Sequence, residues 1–204
     1  MDKYSNFEAL IAEQTEGRDF RVRVALREGA MVASIAPHGG AIEPGTSELA
    51  IAIAGNQLSF AVFEGTKATQ NRELHITSTN FDEPRCIEVV AGARTAVAIH
   101  GENSQEATVF TGGADMMLRS HINNALLDAG FTVREHENPN LQGKSPLNIC
   151  NRGTNGAGVQ LELSRGLRNT FFESLNAAGR ARQTQEFHQF VDAVHQGLSR
   201  AGLL

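Results

Sequence analysis

The sequence lacks the features of a disulfide-stapled or membrane-spanning protein. Its 204 residues contain only two cysteines, Cys86 and Cys150, which are too few for a disulfide framework. No apolar run is long enough to cross a membrane, and the first twenty residues contain no apolar core of signal-peptide length. We therefore expect buried free thiols and a cytoplasmic protein, which acts outside the cell only if lysis releases it.

Clustered positive charge is also missing. The chain has 18 Lys and Arg against 23 Asp and Glu, a formal charge of −5, and no basic block. Because nucleic-acid binders usually carry a clustered Lys/Arg face, we expect no nucleic-acid partner. A local basic pocket for an acidic substrate stays compatible with this balance. The length, with no repeat, low-complexity tract or linker, predicts a single domain over residues 1–204.

The hydrophobic pattern alternates between short apolar strands and amphipathic helices, which indicates an α/β fold with a mixed central sheet flanked by helices. The final helix places Phe187, Phe190, Val191, Val194 and Leu198 on one face, the spacing of a stripe that packs on a core. The predicted strands cover residues 20–27, 31–36, 57–64, 95–99, 131–134 and 158–163. The predicted helices cover residues 6–13, 46–54, 84–92, 115–129, 167–175 and 184–198.

Three of the predicted strands end at a histidine or a glutamate. The strand 31–36 is followed by Pro37 and His38, the strand 95–99 by His100, and the last predicted strand contains Glu162. Glu43 lies on the glycine-rich loop after His38. Since ligands of open α/β sheets bind beyond the carboxyl ends of the strands, we expect these four side chains to lie close together.

Two histidines and a carboxylate are a common ligand set for catalytic zinc. His38 and Glu43 would form the close pair, His100 the distant ligand, and Glu162 the general base for a metal-activated water. The spacing His-x4-Glu is a weak signal, and each residue has a plainer interpretation. His38 could bond to backbone, Glu43 could favour the following helix N-terminus, and His100 could be a core histidine. Glu162 has the weakest alternative, because a carboxylate in an apolar strand is costly unless it is paired or functional.

Several separated motifs together resemble one known family. They are PHGGAIEPGTSEL at 37–49, HITSTNFDEP at 75–84, IHG at 99–101, and NRG at 151–153 with GVQLE at 158–162. In that order they are similar to the phage-type poly-γ-glutamate hydrolases, which also occur in prophage-related bacterial genes. The resemblance covers most of the chain, from about residue 30 to residue 165.

The resemblance implies a zinc peptidase whose core is similar to the carboxypeptidase A type and whose substrate is the γ-glutamyl amide bond of poly-γ-glutamate. It implies one zinc ion held by His38, Glu43 and His100, with Glu162 as the general base. These are the residues that the strand ends also select. The oligomeric state and the endo or exo mode of cleavage stay open.

A poly-γ-glutamate chain carries one α-carboxylate per unit, so the groove should offer cations and amide donors. Arg152 is the first candidate to bind a carboxylate or to polarise the scissile carbonyl, with Asn151 as a further donor. Arg72 and His75 are the next candidates for substrate binding. The remaining arginines Arg85, Arg165 and Arg168 are expected at the surface or at helix ends.

Two other functions fit parts of the pattern. A zinc deacylase of small N-acyl amino acids would share the metal and the glutamate but needs a closed pocket rather than an open groove. The region 137–149, a turn-rich loop, would distinguish the two. A non-enzymatic phage replication-associated protein would need phosphate contacts, which the acidic balance disfavours, and it leaves the four polar residues without a role.

Overall fold

A computed structural model describes residues 2–204. One mixed seven-stranded sheet runs through these residues, in the spatial order β1-β3-β2-β4-β7-β5-β6. Neighbours are parallel except β1 with β3 and β5 with β7, which are antiparallel. The strands are β1 (Phe20–Ala25), β2 (Val32–Gly40), β3 (Ser59–Gly65), β4 (Thr95–Gly101), β5 (Val109–Gly112), β6 (Val133–Arg134) and β7 (Val159–Leu163).

Helices cover both faces of the sheet. A large hydrophobic cluster joins one face to α2, α4 and α7, and a second cluster joins the other face to α1 and α3. Within the described residues no helix has the length and apolarity needed to span a membrane. The helices are α1 (Phe7–Ile11), α2 (Thr46–Ala54), α3 (Pro84–Ala91), α4 (Met116–Asp128), α5 (Arg165–Thr170), α6 (Ala177–Arg180) and α7 (Gln185–Arg200).

The order of the strands creates a crevice at one edge of the sheet. From β2 the chain passes to β3 on one side and then to β4 on the other, so the connections diverge between β2 and β4. Such a reversal in strand order leaves a gap above the carboxyl ends of the two strands, where ligands of α/β proteins bind. The carboxyl end of β7 lies beside β4 at the same edge.

The α/β architecture with a mixed sheet flanked by helices is confirmed, and most predicted elements differ from the observed ones only at their ends. The four-residue strand β5 was not predicted, because its apolar run is too short to show a period. The predicted helix 167–175 is α5, which begins at Arg165 because the side chain of Ser164 caps it. It ends at Thr170, and Phe172 then forms a β-bridge with Gln183.

The buried stripe of α7 is confirmed. Phe190 is fully buried, and its ring lies 5.2 Å from that of Phe171 and 5.4 Å from that of Phe131. Aromatic pairs at this separation contribute to stability beyond the area that they bury. The aromatic cluster therefore fixes α7 against the layer of helices and the sheet.

Phe190→Ala should lower the free energy of unfolding by about 3–5 kcal/mol, because it removes a large side chain from a packed core. The measurement is denaturant unfolding followed by circular dichroism. The neighbouring exposed Gln189 provides the matched control, and Gln189→Ala should change the stability by less than about 0.5 kcal/mol. Equal unfolding midpoints for the two variants would contradict the packing described for α7.

Arg168 lies in the last turn of α5, as the second of the two predicted alternatives had it, but its side chain is buried. Only 2% of the residue is exposed. Its guanidinium donates hydrogen bonds to the carbonyl oxygens of Pro44 at 2.8 Å, Glu102 at 2.9 Å and Leu163 at 3.2 Å. The side chain thereby ties the loop before α2 to the ends of β4 and β7. Five donors in a rigid plane can serve three carbonyls at once, which a lysine ammonium cannot do with the same geometry.

Arg168→Lys should therefore lower the free energy of unfolding by about 2–5 kcal/mol, since one or two of these charge-assisted hydrogen bonds are lost inside the protein. Arg165→Lys on the same helix is the control, because Arg165 is exposed and should tolerate the change. Denaturant titration of both variants measures the difference. If the two variants unfold at the same denaturant concentration, the three carbonyl contacts of Arg168 contribute nothing to stability.

Candidate metal centre and active site

The end of β2 brings His38 and Glu43 together through a tight turn. The register of β2 against β3 shifts between Ala36 and Gly39, so His38 lies in an irregular strand end rather than in the loop predicted after residue 36. Glu43 N–H donates to the carbonyl of His38 at 2.9 Å and closes the turn. Gly40 adopts a φ of 65°, and a Cβ on Gly39 would collide with the hydroxyl of Ser47. Both glycines are therefore required for this turn.

The pairing of β4 with β7 places His100 beside Glu162. The two residues are partners in the parallel register, and both are buried. Side chains at paired positions of neighbouring strands point to the same face of the sheet. Backbone N–H of Gly101 then donates to Glu43 Oε2 at 2.9 Å, which attaches the loop from β2 to the end of β4.

The possible ligand atoms of three residues converge at this point. His38 Nδ1 lies 3.4 Å from Glu43 Oε1 and 3.2 Å from His100 Nδ1, and His100 Nδ1 lies 3.7 Å from Glu43 Oε2. Ligand atoms held about 2.0–2.2 Å from a tetrahedral zinc ion are separated from one another by about 3.3–3.6 Å. The observed distances thus match the separation between two ligand atoms of a tetrahedral metal site.

A hydrogen bond of His38 determines which of its two ring nitrogens carries the lone pair. His38 Nε2 lies 2.7 Å from the carbonyl oxygen of Ile76, which can only accept, so the proton of a neutral His38 sits on Nε2. His38 Nδ1 then presents a lone pair to the carboxylate of Glu43. Two acceptors this close repel each other unless a positive charge is shared between them. The donor set therefore fits a cation.

His75 lies in the same cluster. Its ring stacks on His38 with centroids 3.9 Å apart, and its Nε2 lies 3.9 Å from Glu43 Oε1. Its Nδ1 is 2.8 Å from a carboxylate oxygen of Asp2, an arrangement typical of histidines around metals. His38, Glu43 and His75 also offer ligand atoms within 4.8 Å of one another. Either His100 or His75 could thus complete a set of three ligands with the other two residues.

The cluster changes the proton affinity of its members. Burial raises the pKa of Glu162, and repulsion from Glu43 raises it further, so that it lies well above the usual range. Burial would raise the pKa of Glu43 as well, but charge interaction with His38 and hydrogen bonding by His100 outweigh burial and hold it well below that range. Burial, with repulsion from His38, lowers the pKa of His75 to about 4. His75 is therefore a neutral imidazole at pH 7.

Glu162 is oriented by two amides. Gln160 lies two residues before it on the same face of β7, and its Nε2 donates to Glu162 Oε1 at 2.9 Å. Asn148 Nδ2 in turn donates to Gln160 Oε1 at 2.8 Å. This chain of donors occupies one oxygen of Glu162 and leaves the other available for a proton transfer.

These groups line one cavity of about 410 Å3 above the crevice. Ser78, Thr79 and Arg72 form part of its wall, and Asn140, Leu141 and Asn148 from the turn-rich region form another part. Among residues 2–204, the Arg72 guanidinium has no hydrogen-bond or ion-pair partner. It can therefore receive an anionic group inside the cavity. The predicted site residues in this cavity are His38, Glu43, Arg72, His75, His100 and Glu162.

Arg152 and Asn151 lie outside this lining. The Arg152 guanidinium donates to the carbonyls of Leu147, Phe81 and Thr79, at distances of 2.6 to 3.1 Å. Asn151 is buried and uses its amide group on backbone atoms of four residues, which are Gly143, Ser145, Ala114 and Gly158. Both side chains hold the walls of the cavity together, and the geometry favours Arg72 as the arginine that meets a ligand.

Two polar residues of the site, Gln160 and Asp2, were not predicted. Gln160 could have been found, since it alternates with Glu162 in an apolar strand and so faces the same side. The contact between Asp2 and His75 spans 73 residues and has no local signal.

Comparison with known proteins identifies the family and the fold of the chain. The family profile described as poly-gamma-glutamate hydrolase matches residues 4–193. A solved bacteriophage poly-gamma-glutamate hydrolase is 32% identical and superimposes with a TM-score of 0.94 over 99% of each chain. A solved structure of YNDL in its zinc-free apo form is 33% identical, with a TM-score of 0.92 over 98% of this chain and 99% of that one.

Proteins of Bacillus subtilis (strain 168) are related over similar lengths. YmaC is 36% identical over 195 residues, covering 95% of this chain and 82% of YmaC. The SPbeta prophage-derived protein YoqZ is also 36% identical, over 192 residues, covering 93% of this chain and 69% of YoqZ. With the profile matching nearly the whole chain and the same fold in a phage relative, this chain belongs to the poly-γ-glutamate hydrolase family.

Proposed function

We propose that this protein is a zinc-dependent hydrolase that cleaves γ-glutamyl amide bonds within poly-γ-glutamate. One observation carries the proposal. Ring nitrogens of two imidazoles and the oxygens of one carboxylate converge beside a second buried carboxyl group, that of Glu162, at the crevice of the sheet. Family membership supports the substrate class, and the zinc-free form of a relative supports the choice of metal.

His38, Glu43 and His100 are the proposed ligands. Their mutual distances of 3.2 to 3.7 Å are shorter than the 3.9 Å between His75 and Glu43, which favours His100 over His75 as the third ligand. A bound zinc ion would polarise the scissile carbonyl and lower the pKa of a water molecule. His75, kept neutral and oriented by Asp2, then lies beside the ligands, and its Nε2 can accept one hydrogen bond from the substrate.

Glu162 is the proposed general base and acid. Its carboxylate takes a proton from the attacking water as the new C–O bond forms, and it returns the proton to the amide nitrogen as the C–N bond breaks. Burial and repulsion from Glu43 raise the pKa of Glu162, and a cation bound beside it would lower that pKa and favour the carboxylate. Gln160 holds one of its oxygens in place, so the other can move the proton.

Arg72 is the proposed contact for a substrate α-carboxylate or for the developing oxyanion. Its guanidinium lines the cavity and is free of partners among residues 2–204. Planar guanidinium groups bind carboxylates through two parallel hydrogen bonds. Arg152 and Asn151 are proposed to act indirectly, by holding Thr79 and the loop around Gly143 in the walls of the cavity.

The direct test is the size distribution of poly-γ-glutamate after incubation with the purified protein, with and without a metal chelator. We expect a shortened polymer that is protected by the chelator, with recovery of cleavage when zinc is returned. Polymer of unchanged length, in the presence of protein that carries a stoichiometric divalent metal, would contradict the polymer substrate. Cleavage of small N-acyl amino acids by the same sample would then identify a deacylase.

Glu162→Gln should bind metal as the native protein does but lose activity by about 10²–10⁴-fold, the usual contribution of a positioned proton-transfer group. Metal content by mass spectrometry and polymer cleavage by size-exclusion chromatography provide the two readouts. Glu102→Gln makes the same change of charge at the rim of the cavity and should keep most of the activity. Loss of metal together with activity in Glu162→Gln would make Glu162 a ligand instead of a base.

His100→Ala and His75→Ala separate the two possible ligand sets. We expect His100→Ala to weaken zinc binding by more than about 100-fold, beyond the usual effect of a residue that only supports a ligand. His75→Ala should keep the metal with a smaller loss of affinity and reduce turnover. Zinc affinity is measured by competition with a chromogenic chelator. The reverse ranking of the two variants would assign the third ligand to His75.

A further inference from the structure

A second cavity, of about 420 Å3, lies on the other side of the loop that carries the proposed metal ligands. Gly40 and Ala41 of this segment and Ser47 in the first turn of α2 contribute to its wall. The rest of the lining includes four cations, Arg21, Arg23, Lys67 and Arg180, and two acids, Glu48 and Glu64. We name this cavity the basic groove. Its lining carries two surplus positive charges, in a protein whose formal charge is −5.

The basic groove opens at the same edge of the sheet as the candidate active site. Gly40 at the carboxyl end of β2 pairs with Gly65 at the carboxyl end of β3. Arg21 at the start of β1 pairs with Glu64, since β1 runs antiparallel to β3. The groove thus lies over the ends of β1, β3 and β2, while the active site lies over the ends of β2, β4 and β7. Strand β2 and the loop after it are shared by both.

Two of the cations hold no hydrogen bond to an acid. Arg21 is bound to Glu64 at 2.7 Å, but Arg23 lies 3.8 Å from the same carboxylate. Lys67 lies 3.6 Å from Glu73, and its side chain is only 17% exposed. Among residues 2–204, neither the Arg23 guanidinium nor the Lys67 ammonium donates a hydrogen bond. Both groups can therefore bind a carboxylate without breaking an internal hydrogen bond.

The lining of the basic groove also contains a hydrogen-bond acceptor. Arg180, which is 9% exposed, donates to Glu48 Oε1 at 2.8 Å and to the carbonyl of Leu175 at 2.7 Å. The other oxygen, Glu48 Oε2, is buried and has no hydrogen-bond partner among the described residues. A buried carboxylate oxygen without a donor is costly, and an amide N–H from a ligand would satisfy it. The groove therefore combines two cations that donate no internal hydrogen bond with an acceptor that receives none among the described residues.

We propose that the basic groove is a remote subsite that binds a segment of anionic polyamide several units away from the bond that is cut. This rests on the proposed function. A γ-linked glutamate chain presents one carboxylate and one amide N–H per unit, which match Arg23, Lys67 and the free oxygen of Glu48. Arg72, five residues after Lys67 in the sequence, lines the active-site cavity, so each of the two cavities presents at least one cation.

The test measures polymer binding without cleavage. Fluorescently labelled poly-γ-glutamate is titrated with Glu162→Gln protein, and anisotropy gives the Kd at low and at raised salt. Adding Arg23→Gln and Lys67→Gln should weaken binding by about three- to tenfold and flatten the salt dependence, because two charge contacts with the polymer are lost. Arg94→Gln with Arg200→Gln is the matched control, since both arginines line a different cavity and are exposed. The control pair should leave Kd unchanged.

Hydrolysis in the otherwise native protein gives a second readout. Arg23→Gln with Lys67→Gln should raise KM for the long polymer and leave kcat/KM unchanged for a γ-glutamyl dipeptide, which is too short to reach the groove. An equal Kd for variant and parent, an equal loss in the control pair, or no polymer binding at all would overturn the subsite. Intact, groove-dependent binding without any cleavage would instead overturn the proposed hydrolase activity and leave the subsite standing.

Discussion

The buried carboxylate of Glu43 is the group on which the rest of the site depends. A carboxylate removed from water is stable only where donors or positive charge replace the lost hydration. Here Gly101 N–H supplies one hydrogen bond, and the two imidazoles of His38 and His100 supply the remaining polar surroundings. Each of these partners comes from the end of a strand, so the position of Glu43 requires β2 and β4 to end at the same level.

Arg168 helps to hold these strand ends at the same level. Its guanidinium donates hydrogen bonds to the carbonyls of Pro44, Glu102 and Leu163. In the sequence these residues directly follow Glu43, the last residue of β4 and Glu162, respectively. The guanidinium bonds only to carbonyls, so its charge is not cancelled by a direct ion pair. A fixed positive charge behind the loop favours the ionised state of the carboxylates in front of it. One side chain thus contributes both to the geometry and to the electrostatics of the cluster.

The sequence predicted the parts of this arrangement that follow from hydrophobic periodicity or from the position of a strand end. Alternation of short apolar strands with amphipathic helices indicated the α/β sheet, and strand ends with His38, His100 and Glu162 indicated the crevice. The roles of the arginines were harder to predict, because the partners of a guanidinium depend on where unpaired carbonyl groups lie in three dimensions. Arg152 in a conspicuous motif turned out to bind backbone, Arg168 turned out to be buried, and Arg72 has no partner in the cavity.

The charge of the cluster also indicates which kind of ligand it can bind. Glu43 and Glu162 carry two negative charges when ionised, and repulsion from Glu43 is part of the reason that the pKa of Glu162 is raised. A divalent cation would match these two negative charges. Binding of the cation next to both carboxylates would reduce their repulsion and keep Glu162 ionised and basic. In the proposed mechanism, the energetic cost of burying two acids in one crevice thereby favours both the binding of a divalent metal and the transfer of a proton to Glu162.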